Sequence, residues 1–312
     1  MAAPGKALFL DCPPFLHDLY QQDLARIVPD LEINVGSPSR EEAIALLQDV
    51  EFAMNDHTKM DEAFLKACPK LRVIVFLGLG AVSFIDVDAA QRLGIRVRNY
   101  GGYGDRSIAE HAIALMFAAS RKIAAMDRAV RAGQFQAMEG IELAGKTLGV
   151  VGTGGIGKEM VRIGSALGMN VIAWNRSGLP GDLPATSAEL DDLLSNADVV
   201  SLHVALNDDT KGLIDRRRLN RLKKNAILIN TARGAILDEA ALIDLLQTGR
   251  IAHAALDVFE DEPINADHPL TKLTNTTLTP HAAFMTKEAS ERLLKMALDI
   301  LAAERGAEAA QP

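Results

Sequence analysis

Residues 147–178 read TLGVVGTGGIGKEMVRIGSALGMNVIAWNRSG, and this stretch decides the fold. An apolar run, TLGVV, leads into Gly152, Gly154 and Gly157 at the spacing G-x-G-x-x-G. An amphipathic stretch over 156–167 follows, then a second apolar run, NVIAW. A glycine-rich turn alone says little. One that follows a strand and opens a helix reads as a dinucleotide-binding turn. The first glycine permits the tight turn, the second lets the backbone approach a pyrophosphate, and the third lets helix and strand pack closely. The free N–H groups at the start of the helix, at Gly155 and Ile156, then receive the phosphate charge.

The end of the second strand bears on which dinucleotide. An acid there would bond the ribose 2′-hydroxyl of NAD and repel a 2′-phosphate, but the chain reads Asn175-Arg176-Ser177. Two unit charges about 4 Å apart interact by roughly 4 kcal/mol at an effective dielectric of about 20. Even part of that shifts cofactor preference by tens of fold. Asn175 removes the repulsion, Arg176 offers a planar fork of donors, and Ser177 adds a hydroxyl. The bland alternative is that Arg176 is a solvated surface charge. The reading favours NADP(H), with NAD(H) possible.

Outward from this unit, strand-like and helix-like runs alternate. On the N-terminal side, strands are expected at 7–10, 52–54, 73–76 and 96–99, with helices at 16–27, 40–47, 61–68 and 87–93. A long helix is expected from 107 to about 132. After 147 come TLGVV, NVIAW, VVSLH, AILIN, IAHAAL and TTLT, which give five or six strands joined by crossovers. A last helix is expected over 287–303, with the tail AAERGAEAAQP fraying. The order predicts an α/β protein with two doubly wound parallel sheets.

The length of 312 residues suits two domains, and a hydrophobic fraction of 48% suits packed cores. Lys and Arg number 33 against 41 Asp and Glu, a net charge of −8, which argues against a general electrostatic grip on nucleic acid or an anionic membrane. Cys12 and Cys68 read as idle thiols of a reducing cytosol. The N-terminal MAAPGKALFLDCPP has too short an apolar run for a signal peptide, and no stretch reaches the roughly 20 apolar residues of a membrane span. A cytoplasmic protein is expected.

Three polar residues follow strands of the second series: Arg233 after AILINTA, Glu262 in LDVFEDEP, and His281 in LTPHAA. Loops beyond the carboxyl ends of parallel strands border the ligand crevice, so all three can converge on a nicotinamide. Their types suit reduction of a 2-ketoacid. Histidine protonates the oxygen. A carboxylate fixes its tautomer and favours the imidazolium. Arginine holds the substrate carboxylate and polarises the carbonyl. The bland alternatives are an ion-pair partner, a surface charge and a turn residue.

Here the sequence resembles the D-isomer-specific 2-hydroxyacid dehydrogenases, over essentially the whole chain. The matching stretches are RSIAEHAIALM, LAGKTLGVVGTGGIGKEM, SLHVALNDDTKGLID, ILINTARGAILDEAAL, AALDVFEDEP and LTPHAA. The resemblance implies a Rossmann cofactor domain over 99–282 and a flavodoxin-like substrate domain over 1–98, completed by 283–312, with a cleft between. It implies that Arg233 binds and polarises substrate, Glu262 pairs with the histidine, and His281 is the general acid/base. Asp257 is implied to contact the nicotinamide carboxamide. Val204, Thr231 and Ala232 are implied to line the cofactor site, together with Arg233 and His281. Backbone N–H groups near Leu79, Gly80 and Ala81 are implied to bind the substrate carboxylate. A homodimer is implied through the helix carrying AEHAIALM, which makes Glu110 and His111 structural or interface residues. No metal is called for.

The departures are informative. Members acting on 3-phosphoglycerate carry an arginine where AMNDHTKM has Asn55, so a phosphorylated substrate is disfavoured. The nearby NDH is similar to glyoxylate and hydroxypyruvate reductases, and His57 there either touches substrate or sits in the cleft. The loop FLGLGAVSFIDVD is one residue longer than the family pattern. Glu262 argues against formate dehydrogenase activity, which has glutamine at that position. The expectation is NADPH-dependent reduction of glyoxylate or hydroxypyruvate to the (R)-2-hydroxyacid. The alternatives are a bulkier 2-ketoacid such as a phenylpyruvate, a 3-phosphoglycerate dehydrogenase-like enzyme using NAD, and a nucleotide-sensing, corepressor-like binding protein.

Overall fold

The computed structural model describes residues 5–309. The chain forms two compact units, one running to Gly104 and resuming at Thr286, the other spanning Asp105–Met285.

The first unit carries five parallel strands: β1 (Ala7–Cys12), β2 (Glu32–Val35), β3 (Phe52–Asn55), β4 (Val73–Phe76) and β5 (Arg96–Arg98), in the order β2-β1-β3-β4-β5. This is the flavodoxin-like order. Between them lie α1 (Pro14–Leu19), α2 (Arg40–Leu47), α3 (Glu62–Lys66) and α4 (Val87–Arg92). Their starts are written in short polar side chains. Ser39 and Glu42 form a capping box on α2, while Asp61 and Asp86 accept from backbone N–H groups of α3 and α4. Helices cover both faces of the sheet, so its inner strands β1, β3 and β4 are fully buried and largely apolar. Phe9, Phe52 and Leu77 pack with Leu294 and Leu298 of the C-terminal helix, Lys287–Ala309, on one side; Leu8, Leu10 and Ile74 pack with Leu47 and Phe64 on the other.

The second unit opens with α5 (Asp105–Ser120) and α6 (Ile123–Arg131), then alternates β6 (Thr147–Val151), α7 (Gly155–Ala166), β7 (Asn170–Trp174) and β8 (Thr186–Ser187). It continues with α8 (Leu190–Asn196), β9 (Val199–Leu202), α9 (Arg216–Leu219), β10 (Ile227–Asn230), α10 (Glu239–Gln247), β11 (His253–Leu256), α11 (Pro269–Lys272) and β12 (Thr276–Leu278). The sheet is parallel, in the order β12-β11-β10-β9-β6-β7-β8. The chain reverses direction across the sheet between β6 and β9, which places the ligand crevice at their carboxyl ends.

Several expectations are corrected. β2 and β8 were not anticipated, so the sheets have five and seven strands. Both are edge strands with exposed or half-exposed side chains and no apolar run to mark them. The helix expected over 16–27 ends as α at Leu19 and passes into a π-helical turn, Tyr20–Leu24. The helix expected from 107 to 132 breaks where Lys122 takes a left-handed backbone, at φ 53°, with no glycine or proline to announce it. The tail does not fray over its described part. It stays helical to Ala309, with Arg305 paired to Asp30 at 2.6 and 2.8 Å and Glu304 to Arg96 at 3.0 Å. Residues 310–312, and 1–4 at the other end, lie outside the described residues. Among the described residues no helix is long and apolar enough to cross a membrane. Cys12 and Cys68 are buried free thiols, pushed by burial to about 12 and about 11.

Candidate functional site

Each glycine of the β6–α7 turn has its own physical reason. Gly152 adopts φ +94°, and a Cβ there would meet the His203 carbonyl oxygen at 2.6 Å. At Gly157 a Cβ would lie 1.9 Å from the Gly152 carbonyl oxygen, so helix and strand can approach only without it. Gly154 faces open space, as a position approached by a ligand must. Gly155 is a further fixed point, since its Cβ would collide with the Asp105 carboxylate. Helix α7 has no side-chain cap, and among the described residues nothing accepts from the N–H groups of Gly155 and Ile156. Thr153 Oγ1 and Thr231 Oγ1 are buried without a hydrogen-bond partner. Open space, free amides and unpartnered hydroxyls at the carboxyl ends of neighbouring central strands fit a bound dinucleotide.

Asn175 closes this turn rather than facing solvent alone. Its Oδ1 accepts from Thr153 N at 3.3 Å, and its Nδ2 donates to Ser177 Oγ at 2.9 Å. Arg176 is exposed and its Nη1 donates to Asp209 Oδ2 at 2.6 Å. Val204 follows β9, and its side chain borders Gly152.

Three loops follow the neighbouring strands β10, β11 and β12. Asn230, fully buried at the end of β10, accepts from Ala232 N at 3.0 Å and donates to the Arg233 carbonyl at 2.9 Å, which fixes the loop bearing Arg233. The guanidinium donates to the Ala232 carbonyl at 2.7 Å. Gly234 presses this loop onto the next: a Cβ there would fall within 2.4 Å of Phe259 and Glu260 backbone. Glu262 accepts from Phe259 N at 3.0 Å through Oε1 and meets His281 Nδ1 at 2.7 Å through Oε2. Burial raises the Glu262 pKa, but the bonds from His281 and Phe259, with the His281 and Arg233 charges, bring it below the ordinary glutamate value. An ionised carboxylate only accepts, so Nδ1 carries the proton and Nε2 is the ring atom left for exchange.

Asp257 also has a structural role that the resemblance does not imply. The residue is fully buried, and its oxygens serve the His281 loop: Oδ1 accepts from Thr279 Oγ1 at 2.5 Å and Ala282 N at 2.9 Å, and Oδ2 from Ala283 N at 2.9 Å. Its burial raises the pKa, and these bonds with His111 outweigh it, so the group stays ionised. The Asp257 carbonyl also takes the His281 N–H at 2.8 Å, and His281 sits at φ 52°. Asp257 therefore acts first as the post on which His281 is hung. His111 reaches Thr279 Oγ1 at 3.0 Å from α5, a structural contact, and Glu110 pairs with Arg106 on the surface.

In the other unit, the loop after β4 turns through Gly78 at φ +102° into a short 3₁₀ segment, Ala81–Ser83. Among the described residues nothing accepts from the N–H groups of Leu79, Gly80 and Ala81, and Leu79 is exposed. Asn55 is fully buried, with Nδ2 donating to the Thr58 carbonyl at 3.0 Å and Oδ1 unpartnered. His57 Nδ1 meets Asp56 at 3.0 Å and Nε2 meets Ser37 Oγ at 2.6 Å. The Asp56 bond raises the His57 pKa, against burial and with help from Asp11.

Sequence reasoning missed Asn230, Gly234, Asp257 as an anchor, Thr279 and Asp11. For Asn230, Asp257, Thr279 and Asp11 the available signal was a polar residue at or just past the end of an apolar strand.

The comparisons bear on this arrangement directly. Residues 113–283 match the family model of the D-isomer specific 2-hydroxyacid dehydrogenase NAD binding domain. A glyoxylate reductase of Aeropyrum pernix is 42% identical over 257 residues, 78% of this chain and 76% of that one. A D-3-phosphoglycerate dehydrogenase of Archaeoglobus fulgidus is 41% identical over 83% of this chain, which spans only 50% of its length. Among solved structures, a glyoxylate reductase from Paecilomyes thermophila superposes with a TM-score of 0.85 at 30% identity, covering 97% of this chain and 96% of that one. The chain belongs to the D-isomer-specific 2-hydroxyacid dehydrogenase family of NAD(P)-dependent oxidoreductases.

Proposed function

We propose that the protein reduces a small, unphosphorylated 2-ketoacid, glyoxylate or hydroxypyruvate first, to the (R)-2-hydroxyacid with NADPH. The observation that carries the reading is the 2.7 Å contact between His281 Nδ1 and an ionised Glu262. The nicotinamide cofactor, when bound, supplies the hydride for the carbonyl carbon. His281 Nε2 delivers the proton to the carbonyl oxygen. Glu262 holds the ring tautomer and balances the imidazolium. Arg233 takes the substrate carboxylate and polarises the carbonyl, with the amides of Leu79, Gly80 and Ala81 as further donors. Val204, Thr231 and Ala232 line the cofactor, and Asn175, Arg176 and Ser177 receive the ribose 2′-phosphate. Asn55, neutral and buried, offers no cation to a substrate phosphate.

A homodimer in the cytoplasm is part of the proposal. Helix α6 buries none of its residues, and Ile123, Val130 and Phe135 are exposed in and after it, an apolar face suited to a second copy. Sedimentation showing a monomer at micromolar concentration would remove that part.

The relative named a D-3-phosphoglycerate dehydrogenase supports a second reading, an NAD-dependent enzyme for a phosphorylated acid. One assay separates the two: glyoxylate, hydroxypyruvate, phenylpyruvate and phosphohydroxypyruvate, each with NADPH and with NADH. The small unphosphorylated acids with NADPH are expected to lead. His281→Gln should lower kcat at least 100-fold, the scale of a lost general acid, with NADPH binding near normal. Faster turnover with NADH throughout, or unchanged turnover in that variant, refutes the reading.

A further inference from the structure

The charge that is to receive the 2′-phosphate already has a partner. Arg176 Nη1 lies 2.6 Å from Asp209 Oδ2, and both side chains are about three-quarters exposed, at 75% and 73%. Asp209 is no loose surface acid. The 205–210 segment is tied by Asn207, whose Oδ1 accepts from Asp209 N at 3.0 Å and Thr210 N at 3.1 Å. Thr210 Oγ1 in turn donates to the Ala205 carbonyl at 2.5 Å and accepts from Asn207 N at 2.8 Å. This Asx-type turn follows β9, which neighbours β6 at the switch point of the sheet, so it presents the carboxylate toward the end of β7.

We propose that Asp209 is a specificity-determining residue that restrains NADP(H) binding by holding Arg176 and by facing the incoming 2′-phosphate. The inference rests on the assignment of Arg176 to that phosphate. A 2′-phosphate meets a guanidinium whose Nη1 is already committed to Asp209, and the neighbouring carboxylate lies near a group of like sign. NAD(H), with a 2′-hydroxyl, meets neither effect. Asp209 thus narrows the gap between the two cofactors, and the preference set by Asn175 and Arg176 is expressed only in part. In water, unit charges about 4 Å apart interact by roughly 1 kcal/mol, which is about a fivefold change in binding.

The test is the binding of NADPH and NADH to the full-length protein, followed by nicotinamide fluorescence, for wild type, Asp209→Asn and Arg176→Ala. Asp209→Asn should tighten NADPH roughly five- to tenfold and leave NADH within twofold, and the gain should shrink as salt is raised. Arg176→Ala should weaken NADPH alone. If Arg176→Ala weakens NADPH while Asp209→Asn changes nothing, Arg176 keeps its role and the restraint is overturned. Should Arg176→Ala leave both cofactors unaffected, the phosphate assignment fails and the restraint with it. Equal tightening of NADPH and NADH in Asp209→Asn also overturns the proposal, because the effect would not be one of phosphate charge.

Discussion

The two units solve one local problem twice. In each, a fully buried aspartate at the carboxyl end of a strand gathers the donors of a loop that carries a histidine. Asp11, in β1, accepts from the N–H groups of Asp56, His57 and Thr58 and from Thr58 Oγ1, all between 2.7 and 2.8 Å. Asp257, just after β11, accepts from Thr279 Oγ1, Ala282 N and Ala283 N. The difference lies in what each histidine does next. His281 turns Nδ1 to a glutamate from another loop and leaves Nε2 without a protein partner among the described residues. His57 spends both ring nitrogens, one on Asp56 and one on Ser37. The same anchoring device thus yields a ring with one nitrogen left open in one unit and a satisfied ring in the other.

This comparison can be broken by substituting the anchors. Asp257→Asn and Asp11→Asn each put an amide N–H₂ against a backbone donor, and an unsatisfied buried group with lost charge-assisted bonds costs about 3 kcal/mol. Both variants should therefore lose similar stability in urea unfolding. Their kinetics should part. Asp257→Asn frees the His281 loop and is expected to lower kcat at least tenfold, a modest share of the roughly 100-fold or greater contribution of a placed general acid. Asp11→Asn should leave kcat within about twofold, since its histidine makes no proton transfer in this reading. Equal falls in kcat would mean that the loop at His57 belongs to the reacting group as much as the loop at His281.

Much of this was legible beforehand, for reasons that can be named. The glycine spacing between a strand and a helix, and continuous apolar runs such as VIVF and AILIN, mark a parallel sheet buried on both faces. Arg233, Glu262 and His281 stand where strands end, and the structure gathers their loops. The rest was hidden because it depends on distant partners. Thr186–Ser187 is too short and too exposed to carry a pattern. The break at Lys122 has no sequence punctuation. The anchoring role of Asp257 joins it to Thr279, Ala282 and Ala283, which stand 22, 25 and 26 residues away, so no local pattern marks it. Arg176 has its ion-pair partner 33 residues away, in a turn of its own that nothing near Arg176 in the sequence announces.

The comparison can also be sharpened through pH, one histidine at a time. The second unit buries two histidines that the proposed chemistry does not use. His203 follows β9 with Nε2 on Ser201 Oγ at 2.8 Å and Nδ1 unpartnered, and burial pushes its pKa down to about 4. Burial, with the charges of Lys122 and Arg128, does the same to His253. In the unfolded chain both would titrate near 6.5. Between those limits the unfolded state binds more protons, so stability falls as pH falls, by about 2 kcal/mol per histidine at pH 5. His57 has the opposite sign: its pKa is raised, so its contribution is complete below about 6.5 and disappears as pH rises through the folded value. At 40% side-chain exposure that contribution is screened and small. Going from pH 7.5 to 5 should thus loosen the sheet of the second unit while the loop at His57 holds or tightens. Hydrogen exchange, corrected for its intrinsic pH dependence and read separately in β9 and β3, measures this, and His203→Asn should remove about half of the loss in β9. Parallel loss in both sheets would show that acid acts on the fold as a whole, and that the two units do not differ in how they house their histidines.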